Sequence, residues 1–367
     1  MGIMNKLKSF LKRKDIIFSG KRYGIDALGA MAQGLFCTLL VGTILNTIGQ
    51  QFNIDFLNTV VATIGKGEGA MSYTIGGLAS AMVGPGIAIA IGYALHCPPL
   101  VLFSLIPVGF AANAMGGAGG PLAVYFVAII ACECGKLVSK ETKIDILVTP
   151  VVTVLIGIGF AALVAAPIGT AASAVGDAVK WATQQQPFFM GILVSVIIGI
   201  ALTLPISSAA ICAALGLTGL AGGAAVAGCC AQMVGFAVMS FRENRWGGLV
   251  AQGLGTSMLQ MPNIVKNPRI WIPPTLASAI TGPIATCLFK LEMNGAPVSS
   301  GMGTCGLVGQ IGVYTGWLND PSKVIAASDW IGLVLICFVL PAVLSWVFCE
   351  ILRKIGWIKE NDLKLDL

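Results

Sequence analysis

The sequence predicts an all-α, polytopic integral membrane protein, and three observations carry that reading. Of 367 residues, 56% are hydrophobic and only 10% charged, with a mean hydropathy of +0.88; soluble domains carry roughly a quarter charged residues. The charges are also gathered, because no Asp, Glu, Lys or Arg lies between Glu68 and Glu133 or between Lys180 and Arg242. One helical crossing takes about 20 apolar residues, so each gap has room for two or three. A membrane β-barrel would need short segments alternating toward a polar lumen, whereas runs such as Ile144–Pro167 are continuously apolar.

The first 22 residues are basic, with Lys6, Lys8, Lys12, Arg13, Lys14, Lys21 and Arg22 interleaved with Ile3, Leu7, Phe10, Leu11, Ile16, Ile17 and Phe18. That alternation predicts an amphipathic helix lying on an anionic membrane surface. A signal peptide fits less well, since the charged part is long and no clear A-x-A cleavage site follows. Spans then read at about 25–48, 70–94, 98–113, 119–138, 144–166, 188–204, 206–221, 222–240, 271–290 and 328–352, with boundaries soft by several residues. Between 187 and 240, two long helices or three shorter ones both fit the apolar pattern. The positive-inside rule favours three, for a total of ten. Ten spans place the N-terminus, the loop Gly135–Lys143, the cluster Arg242, Arg245, Lys266 and Arg269, and the tail with Arg353, Lys354 and Lys359 all on the cytoplasmic side. The expected division is a surface helix at 1–22, membrane regions at 23–140 and 141–352 and a cytoplasmic tail at 353–367.

Three stretches read neither as ordinary spans nor as ordinary loops. They are "AANAMGGAGGP" (111–121), "GGLVAQGLGTSMLQMP" (247–262) and "NGAPVSSGMGTCGLVGQ" (294–310). Broken backbone is tolerated at membrane depth only where protein buries it or it lines a wet cavity. The second and third, where hydroxyl and amide side chains accompany the glycines, are expected to be re-entrant hairpins. Close helix packing through small residues is the plain alternative, and for 111–121 it is equally good. The runs 149–169 and 273–290 share a proline start and a late Gly/Pro element, a weak hint of duplication of the kind transporters use.

The polar uncharged residues of these stretches are the candidate solute ligands: Asn113; Thr256, Ser257, Gln260 and Asn263; and Ser299, Ser300, Thr304 and Gln310. Neutral donors and acceptors in an apolar cavity suit a polyhydroxylated solute. A bound cation would want clustered carboxylates, which are missing. Ionisable residues near membrane depth are candidates by default. His96, in "YALHCPP", is a candidate for a substrate or proton role, or simply caps a helix. Glu243 and Glu292 precede the second and third stretches, where they can bond sugar hydroxyls; otherwise Glu243 belongs to a charge cluster and Glu292 pairs with Lys290. Glu68, beside Lys66, reads equally well as a loop residue.

Several functions are excluded. "GKGEGA" lacks the order of a phosphate-binding GxxxxGK[ST] loop, and the glycine runs follow no strand, so no dinucleotide fingerprint is supported. One histidine rules out a multi-histidine metal site, and Cys132 and Cys134 lack CxxC spacing. Most of the eleven cysteines sit in apolar runs, as Cys37, Cys97, Cys212, Cys229, Cys230, Cys287 and Cys337 do, and read as small hydrophobes. No cofactor, metal or nucleic-acid partner is expected.

Three longer runs carry a family resemblance: "KETKIDILVTPVVTVLIGIGFAALVAAPIG" (140–169), "SFRENRWGGLVAQGLGTSMLQMPNIVKNPRIWIPP" (240–274) and "GAPVSSGMGTCGLVGQIGVYTG" (295–316). Nearly the whole chain resembles the membrane-embedded IIC component of bacterial sugar phosphotransferase systems, in the branch that includes the regulator of perfringolysin expression. The resemblance implies a homodimeric permease of the bacterial inner membrane. It implies a scaffold and dimerisation region at 23–140, sugar bound in a mobile substrate-binding region at 141–352 with two re-entrant hairpins, and separate IIA and IIB proteins that phosphorylate it. The Thr-Glu-Pro tripeptide of glucose-type relatives is missing, leaving Glu243 and Glu292 as the nearest acidic positions. A membrane regulator that keeps the fold without transport, and a carrier of an organic anion or a cation, are the competing readings.

Overall fold

The computed structural model describes residues 2–65 and 70–365, so Glu68 lies outside the described residues. Helices dominate. They begin with α1 (Gly2–Arg13) and the 30-residue α2 (Arg22–Gln51). A small antiparallel hairpin of β1 (Ala62–Ile64) and β2 (Met71–Tyr73) follows, with Thr63 opposite Ser72. Then come α3 (Ile75–Ala81) and α4 (Val83–Ala94), bent by 53° against each other. Next are α5 (Pro99–Gly116), α6 (Gly120–Val138), α7 (Asp145–Ala182) and α8 (Pro187–Thr203). The remainder comprises α9 (Ser208–Ala214), α10 (Gly219–Met239), α11 (Phe241–Val250), α12 (Met261–Lys266), α13 (Ile272–Pro283), α14 (Val308–Asn319) and α15 (Ala327–Lys354).

Among the described residues, five helices are long and apolar enough to cross a bilayer, or six if the bent pair α3–α4 counts as one. One of the five, Pro99–Val138, is interrupted at Gly117, whose φ of 52° and ψ of −124° suit glycine alone. Its two legs, α5 and α6, fold back and pack on each other.

Two expected spans change. The segment 206–221 holds only the seven-residue α9, about 10 Å long at 1.5 Å per residue, too short to cross on its own. Pro205 limits it on one side, and the left-handed glycines Gly216 (φ 59°) and Gly219 (φ 64°) turn the chain on the other. The charge argument for a third full span between 187 and 240 therefore loses its helix. The span read at 144–166 instead continues through Pro167 to Ala182 as one 38-residue helix, because "TAASAVGDAVKWA" is rich in strong helix formers.

The chain divides into two compact units: residues up to Leu39 with Ala81–Ala171, and Leu40–Ser80 with the chain from Ala172 onward. This division does not follow the boundary at 140/141 read from the sequence. In the first unit, α4 and α5 cross at bare backbone. A Cβ on Gly84 would lie 2.2 Å from Gly109 O, and one on Gly109 would lie 2.4 Å from Gly84 O. Such small-residue contacts bring helices together where lipid offers no hydrophobic driving force.

The second unit is built around α10. Every residue from Gly222 to Met233 is buried, with α8, α13 and α15 packed along the helix. Val226, Ala227 and Cys230 meet Met293, Val313, Trp317 and Ile336 in its core. At Gly228 the contact with α8 is so close that a Cβ would fall 1.9 Å from Ser195 O.

Candidate functional site

Three broken segments, without a long regular helix, meet beside α10 in the second unit. The first connects α8 to α10 and carries α9. The second runs from Ala251 to Gln260, and the third from Asn294 to Leu307, both through short turns of tighter or wider helix. The first and third bond each other reciprocally: Ser208 Oγ donates to Gly301 O at 2.8 Å, and Ser300 Oγ donates to Leu217 O at 2.6 Å. At their base, Gly219 and Met293 exchange two backbone hydrogen bonds of 3.0 Å. The second and third are joined where Thr304 Oγ1 donates to Gly253 O.

The partner of the third stretch is therefore the segment at 205–208, which sequence reasoning missed. A signal for it exists. Pro-Ile-Ser-Ser at 205–208 and Pro-Val-Ser-Ser at 297–300 are near-copies, and the fold places them against each other. The first serine of one copy, Ser207, accepts from Ala210 N at 3.1 Å and so starts α9.

A buried polar cluster lies at the α8 end of this region. Gln232, alone among apolar neighbours on α10, accepts from Trp271 Nε1 at 2.9 Å and from Thr203 Oγ1 at 3.2 Å, and donates to Thr275 Oγ1 at 3.3 Å. Thr203 Oγ1 also shares a 2.8 Å bond with Ser257 Oγ. Of the expected ligands, Ser257 thus belongs to a satisfied network. Thr256 accepts from Met258 N at 3.2 Å and caps a turn.

Gln310 is different. Its amide nitrogen reaches Cys230 Sγ at 3.2 Å, but its carbonyl oxygen is buried without a hydrogen-bond partner. An orphan buried acceptor forgoes roughly 1–3 kcal/mol of solvation, which a ligand hydroxyl would restore. Ser299 is 5% exposed and packs at Gly312 on the same helix turn region.

Gln260 and Asn263 face a different partner. Gln260 Nε2 donates to Gln252 Oε1 at 2.8 Å and to Leu363 O at 3.0 Å, and Asn263 Nδ2 donates to Gln260 Oε1 at 2.9 Å and to Lys364 O at 2.8 Å. Asn244 completes the seat by donating to Leu363 O and accepting from Leu365 N, both at 2.8 Å. These amides hold the C-terminal tail through its main chain, with the Leu363 side chain fully buried. Glu243 is likewise engaged, accepting from Arg353 Nη2 at 2.6 Å.

Glu292 lines an open pocket of about 270 Å³ with Asn294, Trp317, Asp320, Lys323 and Asp329. Asn294 Nδ2 donates to Glu292 Oε2 at 2.9 Å, and Lys323 Nζ pairs with Asp329 at 2.8 Å. Trp317 stands edge-on to Trp330, ring centroids 5.4 Å apart. The two remaining expected residues belong to the first unit: Asn113 packs against Gly84 and Gly120, and exposed His96 lies 3.5 Å from Asp15.

Long apolar helices surrounding broken, hydroxyl-bearing segments define a helical membrane transport protein. The sequence model of the family described as "Phosphotransferase system, EIIC" matches residues 25–365, nearly the whole chain. The protein belongs to that family, as a membrane component of a phosphotransferase-type transport system. No curated protein and no solved structure matches it.

Proposed function

We propose that the protein is the sugar-conducting subunit of its transport system and binds its solute in the second unit, beside the paired Pro-x-Ser-Ser segments. The observation that carries this reading is the buried, partnerless carbonyl oxygen of Gln310, next to the hydroxyl-rich third segment in a chain of this family. A sugar hydroxyl is the donor it lacks. The Glu292 pocket is the outer part of the same route. A carboxylate and an amide bind hydroxyls there while Trp317 offers an apolar face. Its volume falls just below the range of about 300–1,000 Å³ for drug-sized sites, the scale of one sugar ring. Alternating access then requires the reciprocal serine bonds between the first and third segments, Ser208 to Gly301 O and Ser300 to Leu217 O, to open and close. Separate IIA and IIB proteins supply the phosphate.

The test is ligand binding by the purified protein across a panel of sugars and sugar phosphates, read as thermal shift and by calorimetry. At least one sugar should bind, and Gln310→Met and Glu292→Gln should each weaken it by about tenfold, the factor that 1.4 kcal/mol gives. A panel without a single binder, or a binder indifferent to both substitutions, would sink the proposal.

A further inference from the structure

Within the first unit, three helices end at one place. Just past the ends of α1, α4 and α6 the chain turns left-handed at Asp15 (φ 52°), His96 (φ 55°) and Lys140 (φ 60°). Glycine is the usual residue at such a helix end; Asp and His are tolerated there better than most, whereas Lys140 holds the conformation under strain. All three residues line one cavity of about 380 Å³. Strain kept at side chains around a cavity points to a role for those side chains.

The cavity is cationic. Arg13, Lys14, Lys136 and Lys140 face it, against the carboxylates of Asp15 and Glu141. Part of this charge is structural. Lys136 Nζ donates to Leu95 O at 2.9 Å, Asp15 O at 3.2 Å and Glu133 Oε1 at 3.1 Å. Lys14 bonds Ser139 O and Glu141, and Arg22 bonds Leu95 O and both carboxylate oxygens of Asp15. These cations cap the converging carbonyl ends, where the helix dipoles want positive charge. Capping does not account for the rest. The Lys140 ammonium and His96 Nε2 make no hydrogen bond among the described residues, and Arg13 gives only one of its N–H groups, to Glu141 at 2.8 Å. Asp15, Glu133 and Glu141 are already matched by Arg22, Lys136 and Lys14, and Asp145, which accepts from Lys140 N at 2.6 Å, is the further carboxylate nearby; against it Arg13 and Lys140 leave an excess of positive charge open to an anion.

The surroundings are those of a lipid. Ile17 and Phe18, two and three residues after Asp15, are 51% and 77% exposed, and Ile144 and Ile146, shortly after Lys140, are exposed as well. Phosphate binding alone would need no such apolar flanks. We propose that this cavity binds the phosphate of an anionic phospholipid headgroup through Arg13, His96 and Lys140, with the acyl chains lying along Ile17, Phe18, Ile144 and Ile146. A basic pocket beside a basic surface helix is where anionic headgroups gather.

The purified full-length protein, stripped of lipid in neutral detergent, is titrated with phosphatidylglycerol, phosphatidylcholine and glycerol 3-phosphate, with binding read by native mass spectrometry and thermal shift. Phosphatidylglycerol should bind at least tenfold more tightly than phosphatidylcholine. The double substitution Arg13→Gln with Lys140→Gln should remove that preference. Lys140→Gly should weaken phosphatidylglycerol binding without lowering the melting temperature of the lipid-free protein, because it relieves the left-handed backbone. A purely structural lysine would lower both together. Equal binding of the two lipids, or a preference that survives the double substitution, overturns the proposal. Glycerol 3-phosphate binding as tightly as phosphatidylglycerol overturns the lipid assignment in favour of a soluble phosphate.

Discussion

Arg353 reaches Glu243 at 2.6 Å with both side chains nearly out of solvent, whereas Arg242 reaches Glu350 at 3.1 Å with its own side chain 60% exposed. Removing one partner of a shielded pair strands the other charge, at about 3–5 kcal/mol, while exposed pairs contribute about 0–1 kcal/mol. Arg353→Met should therefore lower the melting temperature markedly and Arg242→Ala hardly at all; similar shifts would contradict the burial argument. Near the first helix, the side-chain hydrogen bond from Arg22 holds the Asp15 carboxyl below its ordinary range, and that from Lys14 does the same for Glu141. Depressed carboxylates stabilise the fold above their unfolded pKa, about 4, and lose that contribution as pH falls through their lower folded values. Pepsin should consequently cleave around 10–20 only as the pH drops below about 4, and Glu141→Gln should flatten that response. What was legible at this scale was polarity, not partnership. Gln260 and Asn263 stand out in the sequence as amides in and just after a glycine-rich stretch, where they read as solute ligands. Their acceptors, Leu363 O and Lys364 O, lie a hundred residues away, where no local pattern reaches. Gln232 stood out as a lone amide in an apolar run, a signal that intramembrane polarity should have flagged.

The C-terminal segment behaves as an element held by side chains. Asn244, Gln260 and Asn263 bond its main chain, Asn267 Nδ2 donates to Trp357 O at 3.0 Å and to Asp362 Oδ2 at 2.7 Å, and Arg269 stacks over Trp357 at 5.1 Å. Deleting 361–367 takes one of two acceptors from each of the buried Gln260 and Asn263 amide nitrogens, at about 1–3 kcal/mol each. Hydrogen exchange of 252–264 should rise on deletion. Asn263→Ala should then add little to the deletion, since the two changes remove the same bond. Full additivity would show that the amides act elsewhere. Elements with strong local signals, such as α5, α6, α10 and α15, fall close to where the apolar runs place them. Two misreadings have a common cause. Apolarity alone does not tell a spanning helix from buried broken backbone, so 206–221 read as a span although Pro205 and the glycines at 216 and 219 divide it. In α7, Pro167 suggested an end that the helix formers after it override.

On the scale of the molecule, the second unit gathers its three broken segments around a helix that cannot move aside: at Gly228 and Gly223 a Cβ would lie 1.9 Å from Ser195 O and 1.8 Å from Leu291 O. Motion must then come from the segments themselves, which hydroxyl bonds tie to one another. Ser208→Ala and Ser300→Ala together remove both reciprocal bonds, Ser208 to Gly301 O and Ser300 to Leu217 O, each worth about 0.5–1.5 kcal/mol net. Bound solute pulls the other way. At a concentration of 100 times Kd it stabilises the bound state by about 2.7 kcal/mol. With a sugar found by the panel, exchange protection should rise in 204–218, 251–260 and 294–310 and stay unchanged in 83–138. The double serine variant should show faster exchange in the same three segments without sugar, and recover on adding it. Uniform protection of both units, or protection confined to 83–138, would move the solute out of the second unit altogether. The serine pair also separates binding from movement. If the segments open and close during transport, loosening them changes the uptake rate in proteoliposomes more than it changes sugar affinity. A site that merely binds would lose affinity alone.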